Sequence, residues 1–416
     1  MPNEMLKALS KRIESELNGN IIPFWRDRVI DFQRGGFIGR MTSDGVIDAE
    51  APRGLILNAR LLWSYSATYR FNFNPALLEL AERAYETLDR HFWDHAYGGC
   101  VWLTDAAGAV LDDKKKCYGQ AFYLYALAEY YAVTKNAAAL DRAFEQVEWI
   151  ERCFYDPAYG GYFEVCNRDG SLADNSRLSE RDLDAKKSMN NHLHLLEAYS
   201  NLFRITGDAF IETQLRALID LFTQRIIDQN SYHMVPFFDE AWTPASSAYT
   251  FGHDIEASWL LWEAAEVLHD RPLRNALRPF VMDLAERTLT EGVSPQGGLY
   301  NEAEDGRIID ATYDWWPQAE AVVGFLNAYQ ISGDQRYAWA AWDAWDFIDR
   351  HFIDREHGDW HWRAALNGEV DSRYDKVCEW KSPYHSARAC IEALRRIQGL
   401  LQKGAANERS QIQKDA

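Results

Sequence analysis

The stretch "DHAYGGCVW", residues 94–102, reads as a tight turn followed by a short extended segment. Its paired glycines supply positive φ, and the aromatics behind them alternate. It decides the fold because the chain repeats it. Versions stand at 31–40 ("DFQRGGFIGR"), 156–165 ("DPAYGGYFEV"), 294–302 ("SPQGGLYNE") and 354–363 ("DREHGDWHWR"), with a degenerate copy at 228–240 ("DQNSYHMVPFFDE"). With Gly35, Gly98, Gly160, His233, Gly297 and Gly358 as markers, the steps are roughly 60–75 residues.

Between the turns the text is helical. "ARLLWSYSATYRF", "QAFYLYALAEYYAV", "HLHLLEAYSNLFRI", "EASWLLWEAAEVL", "QAEAVVGFLNAYQ" and "ARACIEALRRIQGLL" carry apolar residues at i, i+3, i+4 and i+7. Second helices such as "PALLELAERAYETLDRHF" and "YAWAAWDAWDFIDRHF" lead to the next turn. Six such pairs make about twelve helices. One pair cannot bury its own apolar face, and an open array would leave a hydrophobic end exposed. The expectation is therefore an all-α protein with short extended hairpin segments, closed into a double-walled (α/α)6 barrel. It forms one domain over 1–402, since no Pro/Gly/Ser linker interrupts the series. The polar tail "KGAANERSQIQKDA" (403–416) is expected to fray.

Composition narrows the chemistry. A formal charge of −19 argues against nucleic acid and anionic membrane surfaces as partners. No segment approaches the length of apolar text that spans a bilayer, and the N-terminus has no signal-peptide core. The six cysteines show no CxxC pair, so they read as reduced thiols of a cytoplasmic protein. The many aromatics (16 Trp, 21 Tyr, 20 Phe) mostly fill a large core, although Trp and Tyr also suit the C–H faces of a sugar.

Unusual residues recur near the start of the first helix of each pair: Arg60, Tyr118, the run "SMNNHLH" (188–194), "FGHDIEASW" (251–259), "YDWWPQAE" (313–320) and "WKSPYHSAR" (380–388). Equivalent positions around a closed ring point into one pocket. Helix spacing puts Asn190 with His194, His253 with Glu256, and Trp316 with Glu320 on shared faces. His192 and His194 lie about 200° apart on a helix and cannot chelate one ion. No HExxH or Cys/His cluster appears, so no metal and no cofactor are expected.

Ser382 and Pro383 read as a helix start with His385 in the first turn, where the helix dipole favours neutral imidazole. His253 opens a comparable helix, with Asp254 or Glu256 available to orient it or hold a sugar hydroxyl. A single histidine at a helix start is commonly a cap, but three at equivalent positions need more than a structural account. Arg60 is equally readable as an ion-pair partner. Trp259 and Trp316 are readable as core, and Glu256 and Glu320 as partners of Arg60 or Arg388. Trp380, in a loop before a pocket helix, is the better stacking candidate. Bases titrating near neutrality, an arginine and carboxylates suit proton transfer beside a carbonyl. In an opened aldose a histidine would remove the C2 proton while Arg60 steadies the enediolate; return of the proton to C2 from the opposite face gives the epimer, and to C1 the ketose.

The chain to about residue 400 resembles the cellobiose 2-epimerases of the N-acylglucosamine 2-epimerase superfamily. The likeness lies in "EAPRGLILNARLLW", "SMNNHLHLLEAY", "FGHDIEASWLL", "WWPQAEAVVGFLNAYQ" and "EWKSPYHSARACIEAL". It implies an (α/α)6 barrel and metal-free epimerisation at C2 of the reducing-end glucose of cellobiose and related β-1,4-linked disaccharides, as a monomer or weak homo-oligomer. It also implies acid/base roles for His253 and His385 on opposite sides of the opened sugar. His194 would assist ring opening or polarise the carbonyl, and Arg60 would lie near the C1 and C2 oxygens. Asn190, Glu256, Trp259, Trp316 and Glu320 would bind substrate, Tyr118 would line the pocket, and Trp380 would stack on the second sugar. An N-acylglucosamine 2-epimerase and a mannose-type aldose–ketose isomerase share the fold. A glycoside hydrolase on the same barrel would instead use Glu256 or Asp254 with Glu320.

Overall fold

A computed structural model describes residues 2–180, 182–364 and 371–415, with side chains of the last helix as far as Lys403. Beyond Lys403 the tail expected to fray lies outside the described side chains. The chain opens with α1 (Pro2–Glu16) and a short α2 (Ile22–Asp27). Five helical hairpins follow: α3 (Leu55–Asn72) with α4 (Pro75–His91), α5 (Cys117–Thr134) with α6 (Ala137–Cys153), α7 (Met189–Thr206) with α8 (Ala209–Leu221), α9 (Phe251–Val267) with α10 (Arg271–Arg287), and α11 (Trp315–Ser332) with α12 (Gln335–His351). The last described helix is α13 (Tyr384–Asp415).

The two walls of the expected (α/α)6 barrel differ in sequence character. Helices α3, α5, α7, α9, α11 and α13 contact one another in a ring, with α13 returning to α3. They are sandwiched between lumen and outer wall, and are buried nearly all round: every residue of α3 from Leu55 to Thr68 is buried. The outer helices bury only a stripe, as α4 does with Leu77, Leu80, Ala81, Ala84 and Leu88. The i, i+3, i+4, i+7 stripe expected for the inner helices is thus part of a surface buried on every side, polar positions such as Asn58 and Arg60 included.

Short connections force each hairpin antiparallel. Phe73, Lys135 and Gly207 end their inner helices in the left-handed conformation, and Asn74, Asn136 and Asp208 immediately cap the next helix through side-chain oxygens. The sixth pair is assembled differently from the other five. The outer partner of α13 is α1, which packs on α13 and α12, so the two ends of the sequence close the barrel. The indole N–H of Trp360 donates to Glu16 at 2.9 Å, and Arg12 reaches Asp346 and Asp349.

All six repeated turns are present, each pinched by one antiparallel bridge: Ile30–Phe37, Trp93–Cys100, Tyr155–Tyr162, Ile227–Met234, Val293–Leu299 and Ile353–Trp360. A leading aspartate, as in Asp94 and Asp156, accepts backbone N–H groups within its own turn. A buried cation from the strand entering the next inner helix neutralises it, as Lys187 does Asp156 at 2.7 Å. These strands also stitch neighbouring repeats along the rim: Arg53–Gly54 pairs with Leu103–Thr104, and Lys187–Ser188 with Phe237–Phe238. A bridge between Met41 and Val377 closes that rim. The six cysteines are unpaired thiols, and no described helix is long and apolar enough to cross a membrane.

Candidate active site

The N-terminal ends of the inner helices converge on one cavity of about 510 Å³. Two positions in each helix explain what that end of the barrel does. The fourth residue of α5, α7, α9 and α11 is Gln120, His192, Asp254 or Gln318, and each accepts a backbone N–H of the adjacent turn. These residues tie the wall to the rim. The sixth residue of α3, α5, α7, α9 and α11 is Arg60, Phe122, His194, Glu256 or Glu320, with Arg388 at that level in α13. Two residues along a helix is a rotation of about 200°, so this second set faces the lumen.

That geometry sorts the sequence candidates. Arg60, Tyr118, Asn190, His194, His253, Glu256, Trp316, Trp380 and His385 all line the cavity. Trp259 and Glu320 do not; both are fully buried beneath it. The indole of Trp259 packs against the guanidinium groups of Arg388 and Arg396, at 4.8 and 5.3 Å, and donates its N–H to Glu320 at 3.0 Å. Glu320 in turn accepts from Nδ1 of His385 at 2.7 Å. Both residues therefore support His385 from below, where sequence reading had them touching sugar. Asp254 is also displaced from its expected role. It accepts from His233 at 2.7 Å and from the backbone N–H of Met234, facing the turn and not the lumen.

Sequence reasoning passed over Glu197 and Tyr384 and gave Arg388 only a pairing role. Arg388 sits at the centre of the floor, bonded to Glu197, Glu256 and Glu320, with Tyr384 donating to Glu197 at 2.6 Å. Glu197 also receives Nδ1–H of His194 at 3.0 Å. Its signal in the sequence was its place three residues after His194, the relation that Trp259 has to Glu256. Donor atoms of Glu256, Glu320 and His385 lie within 4.8 Å of one another, a spacing that would suit a metal ion. The guanidinium of Arg388 already bonds both carboxylates.

The three pocket histidines share a pattern. Each has Nδ1 occupied: His194 by Glu197, His385 by Glu320, and His253 by the hydroxyl of Thr250 at 2.5 Å. No Nε2 of the three has a protein partner among the described residues, so each is left for a ligand. Burial lowers all three from the ordinary imidazole range, His253 to about 3, with neighbouring His194 adding to the effect there. Arg60 and Arg388 press His385 further down. Burial pushes Glu197 up, but Arg388 and His194 outweigh it and hold the group down at about 2. The site therefore combines neutral imidazoles, an ionised Glu197 and two guanidinium groups.

Arg60 donates to Tyr118 Oη at 2.8 Å and to the carbonyl of Trp380 at 3.1 Å, and lies 4.3 Å from the ring of Phe122. It makes no ion pair among the described residues, so its charge remains available to an anionic oxygen. Trp316 packs against two of the histidines, with ring centres 4.7 Å from His253 and 5.6 Å from His385. Trp380, Trp362 and Tyr374 form the upper wall, Trp362 and Tyr374 being stacked at 5.5 Å. Such a site can exchange protons on a polyol bound between aromatic walls and steady negative charge that develops on its oxygens.

The chain as a whole is similar to known proteins. The N-acylglucosamine 2-epimerase (GlcNAc 2-epimerase) family model matches residues 36–389. Cellobiose 2-epimerase from Bacteroides fragilis is 40% identical over 391 residues, covering 94% of this chain and 100% of the relative. Its counterpart from Dictyoglomus turgidum is 38% identical over 393 residues, again 94% of this chain and 100% of the relative. The solved structure of cellobiose 2-epimerase from Bacillus thermoamylovorans superimposes with a TM-score of 0.89 at 37% identity, covering 94% of this chain and 100% of that one. On the family match and these relatives, the chain belongs to the N-acylglucosamine 2-epimerase family and is a sugar epimerase.

Proposed function

We propose that the enzyme inverts C2 of the reducing-end glucose of cellobiose and related β-1,4-linked disaccharides, giving glucosyl-mannose from cellobiose and epilactose from lactose. The observation that carries this reading is the pair His253 and His385. Both pack against Trp316 in one cavity, each with Nδ1 tied down and Nε2 without a protein partner among the described residues. Once the ring is open, the aldehyde makes the C2 proton acidic. One imidazole takes that proton from one face, and the other, carrying a proton in the working state, returns one to the opposite face. Arg60 steadies the enediolate oxygens between the two steps. Burial keeps either imidazole neutral in the empty site, while an oxyanion beside it favours the protonated form. The second sugar lies toward the mouth, on Trp380. The full-length similarity to cellobiose 2-epimerases supports the substrate class.

Hydrolysis fits less well. Two glycosidase carboxyls flank the sugar on either side, whereas Glu256 and Glu320 share one guanidinium on the floor. A proton NMR time course with cellobiose in D2O tests the proposal. The expected product is a mannose reducing end bearing deuterium at C2. A fructose end would mean an aldose–ketose isomerase and free glucose a hydrolase, and either would refute the assignment.

A further inference from the structure

His253 differs from the other two pocket histidines in what stands behind it. Nδ1 of His194 and of His385 meets a carboxylate, Glu197 at 3.0 Å and Glu320 at 2.7 Å. A carboxylate only accepts, so it fixes the hydrogen on Nδ1 and leaves Nε2 bare. Nδ1 of His253 instead meets the hydroxyl of Thr250 at 2.5 Å, and a hydroxyl both donates and accepts. Glu256 follows His253 at the same spacing as Glu197 follows His194, but it is bonded to Arg388. That pair alone does not decide which nitrogen of His253 carries the hydrogen.

The segment "TFGH" (250–253) is built around this contact. Thr250 is the N-cap of α9, with the extended backbone (φ −117°, ψ 126°) from which a threonine hydroxyl ordinarily accepts a backbone N–H of the first turn. It makes no such bond, whereas Ser188 at the N-cap of α7 accepts from Asn191 at 3.1 Å. The Thr250 hydroxyl is turned from the helix to the imidazole. Gly252 serves the same ring from another side. A Cβ there would lie 2.5 Å from the Trp316 indole, so the glycine gives Trp316 room to pack on His253. Thr250 also borders a side lobe of about 370 Å³, which shares His253 and Asn190 with the catalytic cavity and is lined by Glu164, Ser246 and Glu302. A polar space of that size admits water. It offers acceptors for the Thr250 hydrogen, which frees the hydroxyl oxygen to accept Nδ1–H.

We infer that Thr250 is a positioning residue for His253: its hydroxyl donates outward into the side lobe, accepts Nδ1–H, and so holds the ring with Nε2 bare. The functional part of this rests on the reading of His253 as an acid/base group at C2. When Nε2 takes the C2 proton, the Nδ1–H bond to Thr250 persists, and when Nε2 gives the proton back it persists again. Thr250 itself neither gains nor loses a proton. The ring keeps one orientation through both states, which is what a base and an acid acting at one carbon require.

Nitrogen-15 NMR of the histidine side chains in the full chain, without sugar, reads the tautomer directly. The His253 signals, assigned by their loss in His253→Asn, should show hydrogen on Nδ1 and a bare Nε2 in the wild type. Thr250→Val keeps the shape and removes the hydroxyl, and should give a mixture of the two tautomers. In epimerisation of cellobiose the Val variant should lower kcat about 10- to 100-fold, the range for one hydrogen bond to an imidazole that becomes charged. KM should stay within about twofold, and Thr250→Ser should recover most of the loss. Because Thr250 caps no backbone N–H, the Val variant should unfold at nearly the parent temperature. A wild-type His253 with its hydrogen on Nε2 would overturn the inference, whatever the variants do. So would a Val variant turning over within twofold of the parent, or a Ser variant as slow as Val. Failure of the C2 reading would look different: no deuterium at C2 with wild-type enzyme, while the tautomer of His253 still depends on Thr250.

Discussion

Trp259→Phe isolates what the indole does beneath the floor. The substitution keeps an aromatic ring against Arg388 and Arg396 and removes one donor, the N–H that reaches Glu320 at 3.0 Å. A hydrogen bond to a buried charged acceptor is worth about 1.5–3 kcal/mol. Glu320 keeps its bonds from His385 and Arg388, so the loss is felt as looser placement of the carboxylate and of the imidazole above it. If that energy is expressed in the transition state, kcat falls about 10- to 100-fold. Because Trp259 does not line the cavity, KM should stay within about twofold of the parent. Initial rates over a range of cellobiose concentrations separate the two constants. The effect should largely disappear in a Glu320→Ala background, where the indole has no carboxylate to hold. A raised KM with unchanged kcat would refute the positioning role and return Trp259 to the sugar-binding set.

Three further outcomes follow from the same geometry. His385→Asn should lower epimerisation on the order of 10²- to 10⁴-fold in steady-state assays while leaving sugar protection against thermal unfolding largely intact. His192→Gln should be tolerated, because Gln120 and Gln318 fill the equivalent position in other repeats; His192→Leu strands the buried Tyr162 N–H and should cost about 1–3 kcal/mol in denaturant titrations. Glu16, buried against Trp360 and Asn20, is raised to about 7 by burial. A carboxyl raised on folding loses stability as pH climbs from the unfolded value toward the folded one, so Glu16→Gln should be about 1–3 kcal/mol more stable than the parent at pH 8 and nearly equal to it at pH 4.

The turn period carried the fold because a tight turn recurs wherever an outer helix gives way to the next inner one, with Gly-Gly and a leading aspartate in three of the six copies. The pairing of α13 with α1 was not visible in that pattern. The turn at 31–40 marks the helix before it as an outer one, but its inner partner lies at the far end of the sequence, where no turn links the two. Within the site, helical spacing found the lumenal face but not the depth along it. Glu256 and Trp259 share a face, yet three residues of helix set them about 4.5 Å apart along the axis. That rise takes Trp259 from the cavity wall to the layer below, where Glu197 also lies, three residues past His194 in otherwise apolar text. Asp254 failed for a different reason. It was compared with its neighbours His253 and Glu256, when its counterparts were Gln120, His192 and Gln318 in the other repeats. In a closed ring of repeats, a side chain's role follows its level and direction within the helix more closely than its chemical type. Histidine accordingly serves the rim at the fourth position of α7 and faces the lumen at the sixth.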